Sequence, residues 1–377
     1  MSRSLRSCGL VLVLSLVVGA TQPLEEPTPA QIQQARADFT PLKARYRAEY
    51  DDDSDRITPG FVLPKTTTNA DIKQVPNLPF DFGLHLHGTQ VTDAGMKTLA
   101  GNQKLATLTL GGTSVTGAGL KDLAPLKQLA SLVLYENQVT DDVVRELRQN
   151  DQLRALIQLT AANGGRPKSL DDVVTASLSG TKLTGAGLKE LAVLKNLTSL
   201  NLHGTMITDI DLKELAPLTK LTTLVLGGTK VTDTGMRELA VLKNLTTLNV
   251  QATLVSDAGL RDIATIRRLT TLSLEGTKVT GTGLRELAVL AGLTSLDLSS
   301  TPIKDAGLAE IGLLVNLTSL RLRDTKITDA GLPEFHGLKN LVTLSLANTP
   351  VTNAGLKALR EAVPMVRTNL GGKGGGD

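Results

Sequence analysis

One threonine returns every 24 residues through the second half of the chain: Thr181, Thr205, Thr229, Thr253, Thr277, Thr301, Thr325 and Thr349. Thr89, Thr113 and Asn137 form an earlier run on the same step. A period of this length means one small unit repeated many times. A single unit cannot bury its own apolar face, so neighbours must stack and share one core. The unit reads L-x-x-L-x-L-x-x-T-x-[VI]-T-[DG]-x-G-L-x-x-L-A-x-L-x-x. Leu221, Leu224, Leu226, Thr229, Val231, Thr232, Asp233, Gly235, Met236 and Leu239 show it.

The two halves of the unit have different periods. The L-x-x-L-x-L half ends in alternating leucines, which is strand spacing. The second half places apolar residues 7, 10, 11 and 13 positions after the threonine, the stripe of a short amphipathic helix. Thr232 or Asp233 stands ready to cap that helix. Stacked units pair their strands in parallel about 4.8 Å apart. Helices are wider than strands, so the stack must curve with the strands inside. The recurring threonine falls where the strand turns inward, and its hydroxyl can satisfy backbone groups that have left the ladder. The glycine six positions later (Gly187, Gly235, Gly259, Gly283, Gly307, Gly331, Gly355) predicts close backbone packing.

These residues resemble a leucine-rich repeat protein. The pattern is similar to the cysteine-containing repeat type, with Thr where that type has Cys and a slightly shorter unit. Large families of similar secreted arrays occur in bacteria. The resemblance covers residues 81 to 370. It implies an α/β solenoid, a horseshoe with parallel strands on the concave face and short helices on the convex face. It also implies protein binding on the concave face. Cysteine-type repeats often serve as receptors attached to an F-box, but residues 21 to 80 contain no such segment, so that role does not carry over.

The remaining organisation is read from breaks in the pattern. Residues 1–20 read as a secretory signal: Arg3 and Arg6, an apolar run from Cys8 to Val18, and small residues ending at Ala20. That predicts an extracytoplasmic chain with no membrane span after cleavage. Residues 21–80 hold eight of the fifteen prolines and read as a linker and N-terminal cap. Thr28-Pro29 can open a helix there, and the segments 31–39 and 42–50 are both helix-compatible. Residues 81–140 form a first repeat block and 173–370 a second. Between them, Asn137 to Thr181 is a gap of 44 rather than 48. Val144, Leu147, Leu153, Leu156 and Leu159 predict one longer helix over Asp141 to Ala162, within an irregular helical repeat at 141–172. Met365, Thr368 and Leu370 predict a last strand, and 371–377 a flexible tail.

Composition narrows the chemistry. The net charge is +3, too small a basic field to argue for nucleic acid. The single cysteine excludes a disulfide framework and a cysteine zinc site. There is no H-E-x-x-H, C-x-x-C or G-x-S-x-G, so the sequence names no catalytic residue and no cofactor. His85 and His87 share a strand face, but no third ligand follows nearby, and no metal is assigned. The Asn-Leu-Thr triplets at Asn196, Asn244 and Asn316 match glycosylation sequons, yet they recur at one repeat position and follow from the consensus.

The face that varies is the informative one. Within L-x-x-L-x-L-x-x-T the fifth and seventh positions point away from the core. They carry Asn201 and His203, Asn249 and Gln251, Glu275, Asp297, Arg321 and Arg323. Variation there over a constant frame suits recognition of a protein partner. The alternative is a structural spacer of the cell envelope. The charged part of the predicted site is Glu275, Asp297, Arg321 and Arg323, and Asp297 and Arg321 are placed to pair across strands.

Overall fold

The computed structural model describes residues 26–51, 56–156 and 158–369. The signal segment 1–20 and the tail 371–377 lie outside the described residues. The strands fall into two sheets. The first is β1 (Arg45–Asp51), β2 (Arg56–Val62), β3 (Phe82–His85), β4 (Leu105–Thr109) and β5 (Ser131–Val133) in sequence order. The second runs β6 (Leu159–Thr160), β7 (Thr175–Ser177), β8 (Ser199–Asn201), β9 (Thr223–Val225), β10 (Thr247–Asn249), β11 (Thr271–Ser273), β12 (Ser295–Asp297), β13 (Ser319–Arg321), β14 (Thr343–Ser345) and β15 (Arg367–Asn369). From β7 to β15 every pairing is parallel and in 24-residue register, as in Leu224 opposite Leu200 and Leu248. The alternation of the consensus is what fixes this. Leu224 and Leu226 are fully buried, while Val225 between them is half-buried on the outer surface.

Each strand turns into a short helix through the recurring threonine. Thr229 is 6% exposed, and its hydroxyl donates to the Leu226 carbonyl at 2.6 Å. Thr181, Thr205, Thr253, Thr277, Thr301 and Thr325 repeat the bond at 2.5–2.7 Å. The polar side chain therefore sits in the core without an unmet hydrogen bond. The helix then buries the expected stripe, with Met236, Leu239 and Leu242 all at 1% exposure or less.

The aspartate that follows fastens one repeat to the next. Asp233 Oδ1 accepts from the Ser256 N–H at 2.7 Å and Oδ2 from the Ser256 hydroxyl at 2.6 Å. The same paired contact joins Asp93 to Thr116, Asp141 to Thr184, Asp209 to Thr232, Asp305 to Thr328 and Asp329 to Thr352. The Thr352 hydroxyl, and then its N–H, hold the Asp329 carboxyl below its ordinary value. The recurring glycine makes room for this carboxylate: a Cβ on Gly259 would stand 2.6 Å from Asp233 Oδ1. The expected close backbone is there too, 3.3 Å away at the Asp233 Cα, and it is the nearest neighbour at Gly307, which lies against the Thr280 and Gly281 backbone.

Gly281 is one of the places where the aspartate is missing. Asp257 still accepts from the Thr280 hydroxyl and the Gly281 N–H, but toward the following repeat the fastening runs backward. Glu310 Oε2 accepts from the Gly283 N–H at 2.9 Å, and its Oε1 from Arg285 Nε at 3.0 Å. The Arg285 side chain is the main cause that pulls the Glu310 pKa down from 4.5 to about 2, with the Arg285 and Gly283 N–H groups adding to it. A carboxylate depressed by folding contributes stability that is complete above its unfolded value and is lost as pH falls toward its folded one. Glu310→Gln is therefore expected to destabilise at pH 7, and its deficit against wild type should shrink between pH 4.5 and 2. Urea unfolding of both proteins across that range checks it, and a deficit that does not change with pH would contradict it.

Three sequence expectations need correction. Residues 42–50 do not continue as helix. The helix α1 (Pro29–Asp38), opened by Thr28 in a capping box with Gln31, ends there, and Arg45–Asp51 becomes β1 of a hairpin with β2. β2 then pairs in parallel with β3, so the hairpin extends the repeat sheet. Phe39 stacks on Phe61 at 3.9 Å, with Phe82 edge-on, and the rings seal the joint. Second, the helix beginning at Asp141 stops at Gln149 rather than Ala162. Asp151 adopts a left-handed φ of 61°. The buried Gln152 amide turns back to the Leu123 and Leu126 carbonyls at 2.7 and 3.1 Å. The chain then forms a 3-10 turn at Leu153–Ala155 and the short β6, antiparallel to β7. A bridge between Leu132 and Leu156 ties β5 to the turn ahead of β6. Third, the final strand forms at Arg367–Asn369, but Met365 is 71% exposed, and Val366 enters the core in its place.

Candidate functional site

The concave strands bring the predicted residues onto one surface, but not all of them are available. Asn201 Oδ1 accepts from the His203 N–H, and Asn249 Oδ1 from the Gln251 N–H, both at 2.9 Å. Asp297 Oδ1 does the same for the Ser299 N–H at 3.0 Å. These side chains close the ends of their own strands. They recur every 48 residues, a two-repeat period that the 24-residue alignment overlooks and that would have marked them as structural. His203 and Gln251 lean from opposite sides over Gly227, where a Cβ would meet His203 Nδ1 at 2.8 Å and Gln251 Cγ at 2.6 Å.

The charged group divides in two. Arg321 Nη1 lies 3.4 Å from Asp297 Oδ2, across the β12–β13 register that places these two residues opposite one another. Arg321 is 57% exposed, so this pair is worth about 0–1 kcal/mol. Glu275 is half-buried, Arg323 is exposed, and neither makes an ion pair among the described residues. Between them, two strand steps apart, sits Ser299, whose buried hydroxyl has no partner.

The first block carries features that the sequence reading did not assign. Tyr135 reaches over Gly111 and Gly112 to His87, two repeats back. Its hydroxyl is 2.6 Å from His87 Nε2, the rings meet edge-on at 5.0 Å, and Tyr135 remains 43% exposed. A large ring two repeats from an imidazole, with glycines between them, is a signal the sequence contains. His85 turns the other way. Its Nε2 is 2.6 Å from Glu49 Oε1 on β1, passing Gly60 and Gly83. The strand β1 was not foreseen, so this contact could not be read from sequence. The two imidazoles thus engage partners on opposite sides. Among the described residues no group of three His, Cys, Asp or Glu side chains is placed to hold a metal.

Comparison with known proteins agrees with this geometry. The family model "Leucine Rich repeats (2 copies)" matches residues 315–358, and "Leucine Rich repeat" matches 218–240 and 293–312. An internalin of Listeria monocytogenes, InlF, is 20% identical, covering 90% of this chain and 97% of that one, with a TM-score of 0.50. Internalin C2 of the same organism is 28% identical over 53% of this chain and 82% of its own, with a TM-score of 0.42. A leucine-rich repeat protein of Leptospira interrogans is 21% identical, covering 82% and 81%, with a TM-score of 0.45. No curated protein matches the sequence. The chain carries leucine-rich repeats and has the leucine-rich-repeat fold. Among the described residues no helix is long and apolar enough to cross a membrane.

Proposed function

We propose that this chain is a non-catalytic scaffold that binds another protein through the concave face of its repeats, outside the cytoplasm. In this reading 21–80 is the cap of the array and 141–172 separates its two blocks. The observation that carries the proposal is the surface from β11 to β13. Glu275 and Arg323 flank the unpartnered Ser299 hydroxyl, and beside the Asp297–Arg321 pair they stand free among Thr271, Ser273, Ser295 and Ser319. Arginine suits such a site, because a planar fork of donors is joined to apolar stem area. Internalins are repeat proteins of the same fold, which agrees with a scaffold role.

The test is a pull-down with the chain lacking residues 1–20, followed by a titration of the captured partner. Arg321→Ala with Arg323→Ala should leave the melting temperature nearly unchanged, because neither side chain supports the core. It should weaken the partner at least about tenfold, or 1.4 kcal/mol. Unchanged affinity would move the site off β11–β13. An envelope spacer would give no saturable partner at all.

A further inference from the structure

The break in the repeat pattern does more than interrupt the sheet. Because β6 runs antiparallel to β7, the chain between them swings out and back over residues 161–172. The loop is held in shape from within. Ala161 N–H donates to the Gly165 carbonyl at 3.0 Å, and Gly165 N–H to Asn163 Oδ1 at 3.0 Å. Asp172 gathers the Lys168 N–H, the Ser169 N–H and the Ser169 hydroxyl onto one carboxylate oxygen at 2.8–3.0 Å. Under this loop, on the flank where the chain enters β7, β8 and β9, lies a cavity of about 720 Å3. That is within the range of small-molecule sites, roughly 300–1,000 Å3. Regular repeats pack turn against turn, and the overhang exists because this repeat does not.

The lining is two-sided. Ala161, Ala162 and Val174 give it an apolar floor, and Arg166, Lys168 and Lys220 bring three cations to it. Its two acids, Asp171 and Asp172, leave one positive charge in excess, and Asp172 also holds the Ser169 turn. Lys220 Nζ gives one bond to Asn196 Oδ1, at 2.6 Å, and Asn196 is itself fixed to the Asp171 carbonyl at 2.8 Å. An ammonium has three donors, so two remain for a ligand, held over a side chain that cannot swing away. Lys168 is exposed and makes no ion pair among the described residues.

We propose that this cavity binds a small organic acid, a carboxylate or phosphate head on a short apolar body, with the head at Lys168 and Lys220 and the body on Ala162 and Val174. The site lies on the flank of the solenoid and not on the concave strands, so it stands or falls independently of the proposed partner surface.

Ligand-observed NMR titration of the full chain tests it with benzoate, hexanoate, phenyl phosphate, inorganic phosphate and, as the uncharged control, benzamide. At least one organic acid should saturate with a Kd below about 5 mM, and benzamide should not. Benzoate against phenyl phosphate decides which head is preferred. Inorganic phosphate should bind at least tenfold more weakly than the better acid, because it leaves the apolar floor empty. Lys220→Glu should weaken the acid at least tenfold. Ala162→Trp, at an exposed position, should block the cavity while the melting temperature holds. No saturation by any acid, equal binding of benzamide, or binding that survives Ala162→Trp would each overturn the assignment.

Discussion

Leu224→Ala is expected to lower the free energy of unfolding by about 2–5 kcal/mol. Leu224 is fully buried at the centre of β9, between Leu200 of β8 and Leu248 of β10. Truncation removes buried methyl groups and leaves a cavity that a stack of identical leucines is poorly placed to close, since each neighbour is held in its own ladder. A repeat array shares its stability between adjacent units. The damage should therefore spread outward from β9. Amide exchange should quicken first in β8 to β10 and last in β3 and β14. Uniform quickening along the whole chain would show instead that the array opens as one body.

Gly281→Ala is expected to cost roughly 2–6 kcal/mol, from strained backbone and overpacking together. Gly281 has a φ of 109°, a conformation that side chains rarely adopt. A Cβ there would lie 2.6 Å from the Gly307 Cα and 3.4 Å from its carbonyl carbon and oxygen. No flexible side chain can give way, so the two repeats would have to separate. Gly164→Ala is the control. Its φ is 82°, and nothing lies within 4 Å of its would-be Cβ, so it carries the conformational cost alone, about 1–2 kcal/mol. Denaturant unfolding of both variants checks the difference. Equal losses would mean that the contact between repeats adds nothing.

The sequence made the repeating part of this molecule readable because local spacing and tertiary environment agree there. Leucine spacing predicts the strand, the threonine hydroxyl predicts its own carbonyl partner, and the 24-residue step predicts the register that sets Asp297 beside Arg321. The misreadings lie where a distant contact decides. Leucine spacing from Val144 to Leu159 continues as a helix would, but the Gln152 amide finds the carbonyls of the preceding repeat and the helix ends. Residues 42–50 suit a helix in isolation, yet from Arg45 the chain meets the open edge of β2 and becomes a strand. The candidate site was half legible for the same reason. Outward positions follow from alternation, but whether a side chain is free does not. Asn201 and Asn249 turn onto their own backbone, and Tyr135 is pinned by a histidine two repeats away.

The aspartate pairs give the array a grain. In each regular joint the acceptor belongs to the earlier repeat, and the N–H and hydroxyl that need it belong to the later one. If repeats are removed from the C-terminal end, an aspartate is left facing water, where a carboxylate is content. If they are removed from the N-terminal end, the next threonine loses its acceptor just where a helix begins. The chain should therefore erode more readily from its beginning than from its end, which places the burden of sealing on the aromatic joint around Phe39, Phe61 and Phe82. The same grain suits synthesis, in which N-terminal units fold first. Each finished repeat offers a ready carboxylate to the one still emerging. At Gly281 both directions meet: Asp257 of the earlier repeat takes the Thr280 and Gly281 N–H groups, and the Gly283 N–H waits for Glu310 to arrive.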